Sequence, residues 1–270
     1  PQLLVAAGQP RFDAVETLLT QPPYPTRNVT DNLADLHAQL AANLQGTARL
    51  RQLASESPMP LPELMSGILE HSAEVMRLQI GKLPETCEAL ETLDDGAVIR
   101  VKLTRRDQRL HLSFDGTSPV HAGNLNATSA IVRSAVLYVL RVLLRTDLPL
   151  NEGILEPIDF DLPVCLLNPE FSGDPTRDPA VVGGNVEVSQ RLVDTLFKAL
   201  HLQACSQGTM NNLLFGDATF GYYETIGGGA GAGPDYPGAS GLHTHMTNTA
   251  ITDPEILEQR FPVRLRQFGL

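Results

Sequence analysis

The chain has no tryptophan, only 5% aromatic residues, three lysines and three cysteines in 270 residues. Twenty basic against 31 acidic side chains leave a formal charge of -11. That balance excludes a nucleic-acid partner, which needs a basic stripe to neutralise phosphates. No lysine or arginine stands between Lys198 and Arg260, so this stretch cannot supply a side-chain clamp for a triphosphate. Cys87, Cys165 and Cys205 are odd in number and lack metal-ligand spacing, which fits a reduced cytoplasmic protein rather than a disulfide framework. The longest apolar run, Ile131 to Leu144, is interrupted by Arg133, Ser134 and Arg141 and is too short and too charged to span a bilayer. A signal peptide and internal repeats are also missing. The opening Pro1-Gln2-Leu3-Leu4 reads as the middle of a longer chain, so the expectation is a fragment of a larger subunit whose N-terminal half lies upstream.

The order of patterns predicts an α+β fold, an antiparallel β-meander with packed amphipathic helices. Residues 1–29, with Pro22, Pro23, Pro25 and Asn28, read as a connector, and 30–270 as the main region, with a sub-boundary near 168–184 where prolines and glycines cluster. Leu33, Leu36, Leu40 and Leu44, widened by Ala41, predict a helix capped near Thr30 or Asp31 with one face packed inward. Leu64, Ile68, Val75 and Leu78 mark a second helix that stops at Gly81. From Thr86 to Phe114 the period changes to two: Ile99, Val101 and Leu103 alternate with Arg100 and Lys102, and Leu110, Leu112 and Phe114 alternate with His111 and Ser113, with turns at Asp94-Asp95-Gly96 and Arg106-Asp107-Gln108. A helix over 127–145, a strand near 154–162, a loop over 168–184 and a helix opened by Asn185 with Val188, Leu192, Leu196 and Leu200 on one face follow. The tail predicts a short helix from Asp253 and a last strand over 262–268.

Seven of the 22 glycines fall within residues 227–241, followed at once by His243-Thr244-His245-Met246-Thr247-Asn248-Thr249. Glycine loses the most backbone entropy on folding, so this density implies positive φ angles or backbone that must approach something closely. The alternative is a flexible linker. The aromatic Tyr222 and Tyr223 on one side and the His-x-His on the other favour an ordered loop. Gly227 to Ala232 satisfies a dinucleotide-type glycine spacing, but Pro234 and Pro237 follow where that fingerprint requires a helix.

Four polar segments separate the expected elements: 114–118 with Gly123-Asn124-Leu125-Asn126; Val182-Gly183-Gly184-Asn185-Val186-Glu187-Val188-Ser189-Gln190-Arg191; Ser206-Gln207-Gly208-Thr209-Met210-Asn211-Asn212; and the glycine loop with its histidine end. Together they resemble the hydantoinase B/5-oxoprolinase family, over the chain from about residue 28 onward. The resemblance is to the C-terminal half of the B-type subunit. It implies ATP-dependent opening of a lactam or imide ring such as 5-oxoproline or N-methylhydantoin. ATP would be held mainly by a hydantoinase A-like partner in a hetero-oligomer, as part of glutathione metabolism. Relatives that carboxylate ketones at the expense of ATP give a second implied activity, and a scaffold without catalytic groups is a third reading. Val188 departs from the family pattern, where a threonine is expected; if that hydroxyl touches ligand, Ser189 becomes the contact.

Opening a lactam needs an activated carbonyl, a base for water, donors for the anionic oxygen and amide-type groups to read the ring. Glu224, His243 and His245 are the candidate catalytic residues. Glu224 offers a carboxylate beside two tyrosines, with a loop-ordering role as its alternative. His243 and His245, two apart, point to one face of a strand and can share a divalent metal or a water, or form a hydrogen-bonded loop pair. Asn185, Glu187, Ser189, Asn211, Asn212 and Asn248 are the candidate substrate contacts. The amides of Gly227, Gly228, Gly229 and Gly231 are candidates for an anion-binding nest. Asp115-Gly116-Thr117-Ser118 reads as a turn that ends a strand.

Overall fold

A computed structural model describes residues 3–21, 25–26, 28–174 and 176–269. Pro1, Gln2, Pro22, Pro23 and Pro175, named above, lie outside the described residues. The chain divides into two compact units, Pro1–Gly67 and Ile68–Leu270.

In the first unit a two-residue ladder, β1 (Val5–Ala6) against β2 (Gln9–Pro10), precedes helix α1 (Phe12–Thr20). The long helix α2 (Val29–Glu56) packs beside α1, and Phe12 stacks on His37 with ring centroids 3.6 Å apart. The cap of α2 is Asn28 rather than Thr30 or Asp31: its side-chain oxygen accepts from the Asp31 amide at 3.4 Å. The expected inward face is realised in part: Leu33, Leu36 and Leu40 are half-buried, whereas Leu44 is 65% exposed and no residue of α2 is fully buried. At 28 residues the helix is about 42 Å long, and the nine-residue α1 covers only part of it.

Helix α3 (Leu61–Ile80) contains the division between the units. Its buried stripe is Ser72, Ala73, Met76 and Ile80, whereas Ile68 and Leu78, expected to face inward, are exposed. The stripe is chosen by close approach rather than by the largest apolar residues. Ser72 accepts a hydrogen bond from the Asn151 amide at 2.8 Å, and a Cβ on Gly153 would collide with the Leu69 carbonyl oxygen.

The second unit is built on a four-stranded sheet in the order β3 (Thr86–Thr92), β4 (Val98–Arg106), β5 (Arg109–Ser113), β6 (Ile158–Asp161). Strands β3 to β5 form the expected antiparallel meander, with Ile99, Val101, Leu103, Leu110 and Leu112 buried on one face. The strand expected near 154–162 is shorter, because Glu152–Leu155 forms a 3₁₀ turn capped by Asn151. It runs parallel to β5, since helix α4 (Ser129–Leu144) serves as the crossover. Helix α5 (Ser189–Ala199) packs against α4, β3 and β4, and the core lies between the two helices and the sheet.

A hairpin not anticipated from sequence, β7 (Asn211–Gly216) with β8 (Gly221–Ile226), follows α5. The tail forms α6 (Pro254–Arg260), capped by Asp253. The strand expected over 262–268 does not form: Pro262 offers no amide donor, and the Leu265 amide turns back onto Glu258 at 2.7 Å. Among the described residues no helix is long and apolar enough to cross a membrane.

The meander register has a direct stability consequence. Leu112→Ala, at a fully buried position, is expected to cost about 2–5 kcal/mol in urea unfolding, whereas Leu90→Ala, half exposed on the opposite face, stays within about 0.5 kcal/mol.

Candidate functional site

The chain approaches α5 through a single π-helical turn, Gly184–Val188, an uncommon feature that shifts the helix face by one residue. The glycines before it let two backbones meet. A Cβ on Gly184 would collide with the Asn126 carbonyl oxygen, and the Gly183 amide donates to the Asn124 carbonyl at 2.8 Å. Asn126, fully buried, organises this junction by donating to the carbonyls of His121 and Ala180 and accepting from the His121 amide. Val188, where the family pattern has a hydroxyl, lies wholly within the apolar core. Ser189 is also buried, and its hydroxyl donates to the Asn185 carbonyl at 2.6 Å.

The first half of α5 presents polar side chains to the interior. Gln190 donates to Thr247 Oγ1 at 2.6 Å and to the Thr244 carbonyl at 3.2 Å, and accepts from the Met246 amide. Asp194 accepts from the Ser206 amide and hydroxyl, each at 3.0 Å, and faces His245 Nε2 at 3.1 Å with both side chains 2% exposed. With Nε2–H given to the carboxylate, His245 Nδ1 is left to accept from the Tyr138 hydroxyl at 3.4 Å. Burial pushes the Tyr138 phenol upward, which keeps it protonated as the donor. The Phe197 ring packs edge-on against His245. His245 has φ +56°, a left-handed backbone that this network holds in place.

The glycine loop folds onto this assembly. A Cβ on Gly228 would collide with Gln207 Oε1, and one on Gly231 with the Ala204 carbonyl oxygen. Gly229 has φ +124°. The amides of Gly229, Ala230 and Gly233 donate to the carbonyls of Leu242, Ala239 and Tyr236. The run of consecutive free amides that a phosphate nest would use is therefore broken at Gly229, and density of glycine here serves close backbone packing.

Residues 123–126 and the other three polar segments thus meet around residues 183–194, whereas 114–118 turns back onto β4 through Ser118 and Thr117. Their side chains interlock rather than line one open cavity. Glu224, on β8, accepts the Thr252 amide at 2.6 Å and so anchors the segment leading to α6. Asn212 bonds the Met210 carbonyl and Thr225 hydroxyl within its own hairpin. Asn185, Asn211 and Asn248 are exposed, and Glu187 is half-buried on the π-turn. The two histidines do not converge on a metal: both ring nitrogens of His245 are engaged, and no group of three potential ligands exists among the described residues. His243 Nδ1 lies 3.3 Å from the Thr249 hydroxyl.

Four buried polar atoms in these segments have no hydrogen-bond partner: Arg191 Nε, Gln207 Oε1, His243 Nε2 and Thr244 Oγ1. Buried polar groups are nearly always paired, so these mark where water or ligand is needed. Sequence reasoning did not single out Asp194, Tyr138 or Gln207. The available signal was Asp194 four residues after Gln190 on an otherwise apolar helix face.

The family model for hydantoinase B/oxoprolinase matches residues 1–270. The chain belongs to the hydantoinase B/oxoprolinase family. It is 44% identical over 264 residues to 5-oxoprolinase 1 of Arabidopsis thaliana and 41% identical over 257 residues to 5-oxoprolinase of Dictyostelium discoideum, in each case over 91% of this chain. It spans 20% of the length of each of these relatives. The fold is similar to that of the ATP-dependent caprolactamase from Pseudomonas jessenii, with a TM-score of 0.79 at 22% identity over 98% of this chain and 48% of that one.

The buried Asp194 contact is expected to dominate local stability. Asp194→Ala should cost about 1–3 kcal/mol in urea unfolding for each buried donor left without its acceptor, His245 and Ser206 among them. Glu224→Ala, which frees one backbone amide, should cost about 1 kcal/mol.

Proposed function

We propose that this hydantoinase B/oxoprolinase domain serves an ATP-dependent amidohydrolase that opens a cyclic amide, with 5-oxoproline the first substrate to test. The observation that carries this reading is the set of unpartnered buried atoms on Arg191, Gln207, His243 and Thr244, in a chain 44% identical to a named 5-oxoprolinase. Arg191 and Thr244 supply donors for an oxyanion, and the Gln207 oxygen supplies an acceptor for a ring N–H.

In this reading His243 is the catalytic residue, holding or delivering a proton at Nε2 toward water or the leaving nitrogen. Water oxygen adds to the ring carbonyl carbon, the C–N bond breaks, and the nitrogen takes a proton. His245 and Glu224 are positioning residues, each already committed to the fold through Asp194 and the Thr252 amide. Asn185 and Glu187, on the rim of the π-turn, are the first candidates to meet the substrate. The glycine loop does not fit a triphosphate, because its amide run is interrupted and no cation lies between Lys198 and Arg260. ATP accordingly binds a hydantoinase A-like partner, and the chain without that partner should not turn over.

The test is ATP consumption by the intact assembly with 5-oxoproline, hydantoin or a ketone plus bicarbonate. Ring opening matched by ATP consumption without bicarbonate is expected, and consumption that requires bicarbonate would make the protein a carboxylase instead. His243→Ala should lower kcat by about 100-fold with unchanged thermal stability. Unchanged kcat in that variant would leave the region a scaffold.

A further inference from the structure

A second feature lies on the other side of Phe197. Between the end of α4 and the tip of the glycine loop is a cavity of 220 Å³ that contains none of the residues assigned above to catalysis. Val142, Phe197 and Leu202 give it an apolar wall, and Arg145 and Asp235 line it with opposite charges. Both side chains are solvent-exposed, and neither has an ion-pair partner among the described residues. Two unlike charges across an apolar-walled gap, too far apart to pair with each other, are complementary to one small molecule carrying both.

We infer that this cavity binds a free amino acid as its zwitterion, the carboxylate at Arg145 and the ammonium at Asp235. Local structure fixes the backbone at both ends. Arg145 is the left-handed C-cap of α4, with φ +49°, and its amide donates to the Val142 carbonyl. Asp235 sits in the turn closed by the Gly233 amide donating to the Tyr236 carbonyl at 3.1 Å, and a Cβ on Gly233 would collide with the Tyr236 ring. The far wall of the turn is tied down by Gln203 donating to the Gly231 carbonyl at 2.9 Å. The cavity is smaller than a drug-sized pocket, which restricts the occupant to a single compact molecule.

The choice of occupant rests on the proposed function in one respect. Opening an unsubstituted lactam by water always leaves an amine and a carboxylate on the same molecule, so the product has the charge pattern of this cavity. Phe197 then links the two sites, since its ring both lines the cavity and packs on His245 at 5.1 Å. Product held here would press on the wall of the buried network.

The test is calorimetric titration of the intact protein, without ATP, with glutamate, 6-aminohexanoate and N-acetylglutamate. Binding of one of the two zwitterions is expected, weakened by about tenfold or more in Arg145→Met and in Asp235→Asn, with N-acetylglutamate insensitive to Asp235→Asn. Val142→Trp, which fills the cavity from an exposed position, should abolish binding while leaving thermal unfolding unchanged. Absence of binding by either zwitterion, or affinity unchanged in the three variants, would overturn the assignment. Because no turnover is read, failure of the proposed reaction would leave this result standing, and the reverse also holds.

Discussion

The second unit depends on the hydrogen bonding of two polar side chains on the buried face of α5. Gln190 and Asp194 are almost completely excluded from solvent, and such groups are costly without partners. Their partners come from residues 206 and 244–247, remote in sequence. Each lost partner leaves a desolvated group worth about 1–3 kcal/mol. The helix therefore cannot pack against the sheet in this way unless the loops take up one conformation, and the loops have little apolar surface of their own to hold them.

Glycine completes that arrangement by absence of volume. At 183, 184, 228 and 231 a methyl group would meet backbone or side-chain atoms of the neighbouring segment. The cluster thus permits polar backbones to lie against each other and against Gln207, and leaves buried polar atoms on Arg191, His243 and Thr244 without an internal partner.

The meander and the helices over 129–144 and 189–199 were legible because a period of two and a period of 3.6 leave clear marks when one face is buried. The stripe of α3 was misread because Ser72 and Ala73 carry little hydrophobic weight yet sit at the closest approach. The inward face of α2 is only half covered, at Leu33, Leu36 and Leu40, because leucine spacing reports a capacity to pack and not the extent of the partner. The final strand fails because Pro262 has no amide to donate and the Leu265 amide is taken by Glu258. Within the site, the segments were recognisable by composition, but the roles of their residues were not. Whether His245 faces a substrate or Asp194 depends on a contact between residues 51 apart, and nothing local encodes it.

Amide hydrogen exchange across residues 228–246 tests the central claim most directly. If α5 organises the loop, the amides of Gly229, Ala230 and Met246 exchange as slowly as those in the middle of α5, in one cooperative unit. Exchange of those amides at the rate of an unstructured chain, with α5 still protected, would contradict the account.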